Sequence, residues 1–219
     1  MSSANEESRL FRTANRLAVF TVIYNLAEGI ISLWRGSADE TLSLFGFGMD
    51  SLIEVVSALG VWHMIRRISA GQEEKRDVFE RRALQITGSS FYLLTAGLIL
   101  TAAVDLYYGH RPETTLWGTV ISLVSLGFMG ELIRRKTRVG RALHSDAILA
   151  DAACSRVCAY LSLVLLAASV GYQVTGIGSL DSLGALLLAW FSWREARESF
   201  AKARGLCCSC GCAPKGASA

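Results

Sequence analysis

The sequence predicts an all-α integral membrane protein, a bundle of six transmembrane helices with both termini in the cytoplasm. Hydrophobic residues make up 52% of the 219 residues and the mean hydropathy is +0.36, which is too apolar for an ordinary soluble domain of this size. The apolar residues come in long runs, whereas an outer-membrane β-barrel would show short alternating segments of period two. A third observation is that basic residues gather in alternate loops.

Six apolar runs have about the length that a helix needs to cross a bilayer, roughly 20 residues. They cover residues 17–33, 42–65, 83–108, 116–133, 147–172 and 177–193. The connections at 35–40 and 175–179 are short and turn-like, so we expect spans one and two, and spans five and six, to be antiparallel neighbours. The connection at 72–82 carries charges of both signs at helical spacing, and we expect it to extend helices into the cytoplasm.

The basic residues predict the orientation of the bundle. One set of alternate segments contains Arg9, Arg12, Arg16, Arg66, Arg67, Lys75, Arg76, Arg81, Arg82, Arg134, Arg135, Lys136, Arg138, Arg141, Arg194, Arg197, Lys202, Arg204 and Lys215. The opposite set contains Arg35 and Arg111, and Arg156 lies within a span. Because cytoplasmic loops are enriched in Lys and Arg, the first set and both termini are predicted to be cytoplasmic.

Several other classes of protein are not indicated. Residues 1–10 are polar and acidic, and no Ala-x-Ala exit follows the first apolar run, so no cleavable signal peptide is predicted. A net charge of +3 is too small to indicate nucleic acid. The spans hold no nucleophile–base pair and no His-Glu-x-x-His motif, so no enzyme is predicted.

The predicted division is a cytoplasmic segment (1–15), a transmembrane domain (16–198) and a cysteine-rich cytoplasmic tail (199–219).

Two carboxylates lie one helical turn apart inside the second apolar run. Asp50 and Glu54 share one helix face, since residues at i and i+4 are neighbours about 6 Å apart along the axis. A carboxylate at the centre of a span costs about 2.5–3.5 kcal/mol even on lenient scales, so its presence indicates a function. Hard oxygen ligands suit a divalent metal. The alternative is that the pair forms salt bridges with a basic partner inside the bundle.

The fifth span carries a second group of chemically active residues. Asp151, Cys154 and Cys158 share a face at i, i+3 and i+7, and Asp151 is the strongest candidate ligand among them. The two cysteines are either packing residues or ligands that favour softer metals. His144, on nearly the same azimuth, is either an entry or proton-handling residue or a plain interfacial histidine. Asp146 is rotated by about 140° from Asp151, so a helix N-terminal role fits it at least as well as ligation.

These motifs resemble the transmembrane domain of the cation diffusion facilitator family of zinc and manganese exporters. The resemblance rests on Asp50-Ser-Leu-Ile-Glu54, on Asp151 followed by Ser155, and on Asp181-Ser-Leu-Gly-Ala-Leu, and it extends from about residue 15 to residue 198. It implies a four-ligand metal site near the membrane midplane, with one pair of ligands on the second helix and one on the fifth, and transport in exchange for protons. Glu54 replaces the usual Asp, and Ala147 occupies the position expected for the partner of Asp151.

The site implied by the resemblance is therefore one ligand short, because zinc prefers four ligands in structural sites. Water, Cys154 or a group from the first helix could complete the shell, and Glu28 is the leading candidate on that helix. The alternative for Glu28 is an ion pair with Arg156. The segment that starts at Gly46 also resembles a divergent branch of the family, similar to zinc-transporting vesicular membrane proteins.

The residues that follow Arg197 are too few for the cytoplasmic metal-sensing domain usual in that family, and a cysteine-rich tail is found instead. The tail contains Cys207, Cys208, Cys210 and Cys212. In a reducing compartment these thiols are expected to capture a soft metal, either in a two- or three-coordinate thiolate site or in a site shared between protomers. The alternative is lipidation or an inert tail.

Together these observations predict a proton-coupled exporter of a divalent metal, with Zn2+ ahead of Mn2+, Fe2+ and Cd2+ as the transported substrate. The predicted partners are metal ions, protons, the lipid bilayer and a second copy of the chain in a homodimer, with no permanently bound cofactor. The predicted location is a bacterial inner or plasma membrane. The alternative is a non-transporting accessory protein that delivers metal through its cysteine tail.

Overall fold

The computed structural model describes residues 2–38, 42–108, 116–175 and 179–205. These residues form six long helices and one short 3-10 turn at Glu73–Lys75. The helices are α1 (Ser2–Ala38), α2 (Leu42–Ser69), α3 (Arg76–Tyr108), α4 (Leu116–Ala142), α5 (Asp146–Thr175) and α6 (Ser179–Ala203). Each predicted apolar run lies within one of these helices or nearly so, and no strand occurs among the described residues. The prediction of an all-helical bundle is confirmed.

All six helices are longer than their apolar runs, and most of the extra length lies at the end of the bundle that carries the basic residues. Helix α3 begins seven residues before the run at 83–108, and α4 continues nine residues past the run at 116–133. The expected extension of helices through the charged segment at 72–82 is therefore confirmed. Gly71 ends α2 with a φ of +84°, a backbone conformation that glycine adopts without steric cost.

One buried apolar cluster gathers residues from all six helices at this same end, and we call it the basic-end cluster. Its members are Phe11, Ala14, Ala18, Val61, Met64, Ile65, Ile68, Phe79, Ala83, Leu84, Val139, Leu143, Ala147, Ile148, Ala150 and Ala203. They come from the starts of α1, α3 and α5 and from the ends of α2, α4 and α6. Successive helices are therefore antiparallel, which puts the start of α1 and the end of α6 on one side.

Helices α2 and α5 lie at the centre of the bundle. Each contacts the other and α3, and in addition α2 packs against α1 whereas α5 packs against α4 and α6. The expected contacts between spans one and two, and between spans five and six, are confirmed. The most extensive contact is between α1 and α2, because glycine lets the two backbones approach closely. A Cβ atom on Gly48 would lie 2.8 Å from the backbone nitrogen of Leu33 and 3.0 Å from the carbonyl oxygen of Gly29.

The outer faces of the helices are apolar and exposed, which fits a surface covered by lipid. Large exposed side chains include Ile23 and Trp34 of α1, Leu100 of α3, and Leu187 of α6. Among the described residues, three helical segments meet strict criteria of length and apolar composition for crossing a membrane: Glu6–Arg35, Arg76–Val104 and Asp146–Val164. The protein is a helical membrane bundle.

Candidate metal centre

Helices α1, α2, α4 and α5 bury many polar side chains, and we call this set of residues the polar tract. Its members are Thr21, Asn25, Glu28, Ser32, Asp50, Ser51, Glu54, Ser57, Ser122, Ser125, Lys136, Asp151, Ser155 and Ser162. Several of these residues are charged or carry side-chain polar atoms without a partner. Because burying such groups costs free energy, the tract is the strongest candidate for a functional site.

The two carboxylates predicted on α2 both lie in this tract. The side chain of Asp50 is 3% exposed and that of Glu54 is fully buried. Neither carboxylate oxygen of Asp50 has a hydrogen-bond partner, and Oε2 of Glu54 also has none. These three oxygens are free to accept a cation.

A lysine from α4 lies against the other carboxylates. The ammonium of Lys136 is 2.8 Å from Oδ2 of Asp151 and 3.8 Å from Oε1 of Glu54. It donates a hydrogen bond of 2.9 Å to Ser155, whose hydroxyl in turn donates to Glu54. Ser57 donates a hydrogen bond of 2.9 Å to the other oxygen of Asp151. We call these five residues the ionic cluster.

The prediction that Lys136 belongs to a solvated basic loop is wrong. Helix α4 continues past its apolar run, and Lys136 is 2% exposed within it. The alternative in which a basic partner inside the bundle pairs with the α2 carboxylates therefore holds for Glu54. It does not hold for Asp50, since neither of its oxygens has a partner.

The spacing of residues along α4 indicates that Lys136 is buried, although a count of basic residues in each loop does not. Most buried residues of α4, together with Leu143 just after it, repeat at alternating intervals of three and four: Ser122, Ser125, Met129, Leu132, Lys136, Val139 and Leu143. This spacing marks one face of a helix that packs against neighbours. Lys136 occupies a position on that face, whereas Arg134, Arg135 and Arg138 lie on the others and are exposed or partly exposed.

The thiols of α5 lie level with the carboxylates of α2. Ser57 of α2 contacts Asp151 of α5, and Glu54 of α2 contacts Ser155 of α5. The two helices are antiparallel, so Asp50, one turn before Glu54, lies level with Cys158. Both Cys154 and Cys158 are buried and reduced. The Cys158 thiol lies near enough to Asp50 and Glu54 for a weak S–H···O interaction, and Cys154 lies near Asp50, Glu54 and Asp151. The thiols therefore border the free oxygens of Asp50.

Helix α1 contributes a further buried carboxylate, Glu28, near Asp50. Glu28 accepts hydrogen bonds from Tyr24 (2.9 Å) and from Ser51 (3.0 Å). Arg156 is exposed on the outside of the bundle, so the ion pair between Glu28 and Arg156 that the sequence left open is not formed. Asn25, three residues before Glu28, is fully buried, and both polar atoms of its amide lack partners.

The remaining predicted site residues lie at or beyond the basic end. His144 is exposed in the tight turn between α4 and α5, with a φ of +49°. Asp146 is the first residue of α5, exposed and 4.0 Å from the ammonium of Lys202, in the N-terminal position that was one of its two predicted roles. Neither residue joins the polar tract. Cys207, Cys208, Cys210 and Cys212 lie outside the described residues, and so does the side chain of Asp181.

The described side chains are not arranged as a finished chelate. In the part of the chain that the structure describes, no three side chains of His, Cys, Asp or Glu are grouped so that they could hold one metal ion. The ammonium of Lys136 lies close to both Asp151 and Glu54 instead. The arrangement can bind a cation at Asp50 directly, whereas Glu54 and Asp151 are already neutralised in part.

A helical membrane bundle whose interior holds free carboxylates and an ion pair is the architecture of a membrane transporter for charged substrates. The comparison with protein families identifies the transporter family to which the chain belongs. The model of the cation efflux transmembrane domain matches residues 16–204, and the chain belongs to this family, the cation diffusion facilitators. Members of the family transport metal cations and are not enzymes. No curated protein shows a significant match to the chain.

Proposed function

We propose that this protein exports a divalent metal cation, Zn2+ before Mn2+, Fe2+ or Cd2+, in exchange for protons. The observation that carries the proposal is Asp50, a buried carboxylate with two unpartnered oxygens in the middle of a cation efflux domain. A carboxylate buried in this way is costly unless it binds a cation for part of its working cycle.

The proposed ligand shell takes Asp50 and Glu54 from α2 and Asp151 from α5. A fourth ligand is needed for the coordination that zinc prefers. Ala147, the position expected for it, is fully buried in the basic-end cluster and offers no donor atom. Cys154 and Cys158 stand one turn apart on α5 beside Asp50, so a thiolate from this pair is the better candidate. Thiolates would move the preference of the site from Mn2+ towards Zn2+ and Cd2+.

Coupling to protons follows from the chemistry of such ligands. Carboxylates and thiols bind a metal in their deprotonated form, so metal binding releases protons and an acidic compartment favours the metal-free site. Alternating access by movement of helix groups around this site would then convert a proton gradient into metal export. His144 and Asp146 stand at the basic end, where they could take part in entry or in proton transfer without binding the metal at the central site.

The proposal is tested by metal flux into proteoliposomes that carry a pH gradient, with Zn2+, Mn2+ and Cd2+ compared. The variants are Asp50→Ala and, as a matched control, Asp77→Ala, which removes an exposed carboxylate in the first turn of α3. We expect gradient-driven Zn2+ flux that Asp50→Ala eliminates and Asp77→Ala preserves. If no metal moves, while the cysteine tail binds metal, the transporter proposal fails and the accessory alternative replaces it.

A further inference from the structure

We infer that Lys136 is a tethered competitor of the transported metal: its ammonium holds Glu54 and Asp151 while the site is empty of cargo and is displaced when the metal binds. The inference rests on the proposed function, since it concerns the same carboxylates. All the proposed ligands lie on α2 and α5, so the inference gives α4 its own role in metal binding.

The position of the ammonium supports competition. Oδ2 of Asp151 and Oε1 of Glu54 lie 2.8 Å and 3.8 Å from Nζ. A divalent ion bound by these same two oxygens would lie within a few ångström of Nζ. Two cations cannot lie so close together, because they repel strongly at such distances in a buried site. Metal binding through both carboxylates therefore requires Lys136 to leave.

The contacts of Lys136 are incomplete for a permanent structural ion pair. An ammonium has three donors, and Lys136 has two acceptors at hydrogen-bond distance, Asp151 and Ser155. The distance to Glu54 is too long for a hydrogen bond, and Oε2 of Glu54 has no partner. The two oxygens of Asp50 also remain unpartnered. The lysine thus neutralises part of the site and leaves free oxygens for an incoming metal.

Lys136 can leave the carboxylates once the basic-end cluster opens, because this cluster separates its buried side chain from the basic side of the bundle. Lys136 lies six residues before the last residue of α4, so the helix end at the basic side is about 9 Å away. A lysine side chain has a flexible stem of four carbons and can direct its ammonium towards the water at a helix end. The tether keeps the ammonium at a high effective concentration near the carboxylates, so it returns once the metal has left.

The first experiment measures equilibrium binding of Zn2+ and Cd2+ to the full-length protein in nanodiscs at fixed pH. The four tail cysteines are changed to Ser in every sample, so that binding reports on the membrane domain. We compare Lys136→Met, which removes the charge and keeps the length, with Lys136→Arg, which keeps the charge. Removing a competitor that occupies the site for about nine-tenths of the time should tighten binding about tenfold. Lys136→Arg should bind the metal less tightly than Lys136→Met, because it retains a positive charge that competes with the metal.

The second experiment keeps Lys136 and so does not depend on how well a variant folds. An amine-reactive reagent is applied with and without Zn2+, and each lysine is quantified by peptide mass spectrometry. We expect Zn2+ to speed the labelling of Lys136, while Lys75 and Lys202, both away from the polar tract, serve as internal references.

The outcomes separate the two proposals. Metal binding that is unchanged or weaker in Lys136→Met, or labelling of Lys136 that Zn2+ does not raise, overturns the competitor role and leaves the transporter proposal intact. If the protein without tail cysteines binds neither metal, or binds them equally well after Asp50→Asn, the transporter proposal fails and the competitor role fails with it.

Discussion

Replacing Asp151 with Asn should destabilise the metal-free protein strongly, because it leaves a buried ammonium without its nearest counter-charge. Asp151 and Glu54 lie 2.8 Å and 3.8 Å from the ammonium of Lys136, which at an effective dielectric constant of about 20 corresponds to attractions of roughly 6 and 4 kcal/mol. Desolvation offsets much of this attraction in the intact pair. Removing one partner of a buried pair costs about 3–5 kcal/mol, and we expect a loss in free energy of unfolding in that range.

The double variant Asp151→Asn/Lys136→Met should recover most of that loss, since no buried ammonium is left unpaired. Replacing both partners of a buried pair is often close to neutral. The measurement is reversible unfolding in mixed micelles titrated with SDS, followed by the fluorescence of the five tryptophans. A double-mutant cycle should give a coupling energy of about 3 kcal/mol or more between the two positions, because the double variant is less destabilised than Asp151→Asn alone.

Glu131→Gln is the matched control for this cycle. Glu131 and Arg135 make an ion pair of 2.6 Å, as short as the buried one, but both side chains are more than half exposed. Water screens such a pair, so its loss should be close to the error of the measurement. A loss below about 1 kcal/mol for Asp151→Asn, or a double variant as unstable as the sum of the single variants, would refute the reasoning about the buried pair.

Three further predictions follow from other parts of the molecule. Gly48→Ala should lower the free energy of unfolding by about 1–3 kcal/mol in the same assay, because its methyl group would meet the backbone of α1, whereas Gly127→Ala, with open space around it, should not. Asp50→Asn should abolish metal binding measured by calorimetry and leave the metal-free protein as stable as the parent or more so, since it removes an unpaired buried charge. Cys154→Ser combined with Cys158→Ser should shift the ratio of Cd2+ to Mn2+ flux in proteoliposomes towards Mn2+; an unchanged ratio would show that no thiolate binds the cargo.

Much of the fold follows from the sequence because hydrophobic length and charge act over many residues at once. The six apolar runs each appear in a helix, and the alternation of basic loops matches the antiparallel arrangement. The pairing of Asp50 with Glu54 on one buried face also follows from helical spacing alone. These features are determined by local periodicity, which a single sequence displays.

The role of Lys136 could not be obtained by the same reasoning. The positive-inside rule assigns Lys and Arg by their position outside apolar runs, and Lys136 stands among three arginines within four residues of it. What decides its burial is the direction of its side chain on α4 and the presence of Asp151 on another helix. Arg156 shows the converse: it lies within an apolar run yet faces outward. Contacts between residues on different helices cannot be predicted from the composition of each segment alone.

The basic-end cluster lies between the ionic cluster and the side of the bundle that the basic loops face. Val139 and Leu143 follow Lys136 on the same face of α4, and Ala147 precedes Asp151 by one turn of α5. An ion arriving from that side would meet a dry, closed layer before it reached the carboxylates. Six of the sixteen members of this layer are alanine, and the other ten are larger apolar side chains, so a helix that moves outward exposes substantial apolar surface. The layer can therefore seal the pathway against leakage, and opening it costs hydrophobic free energy.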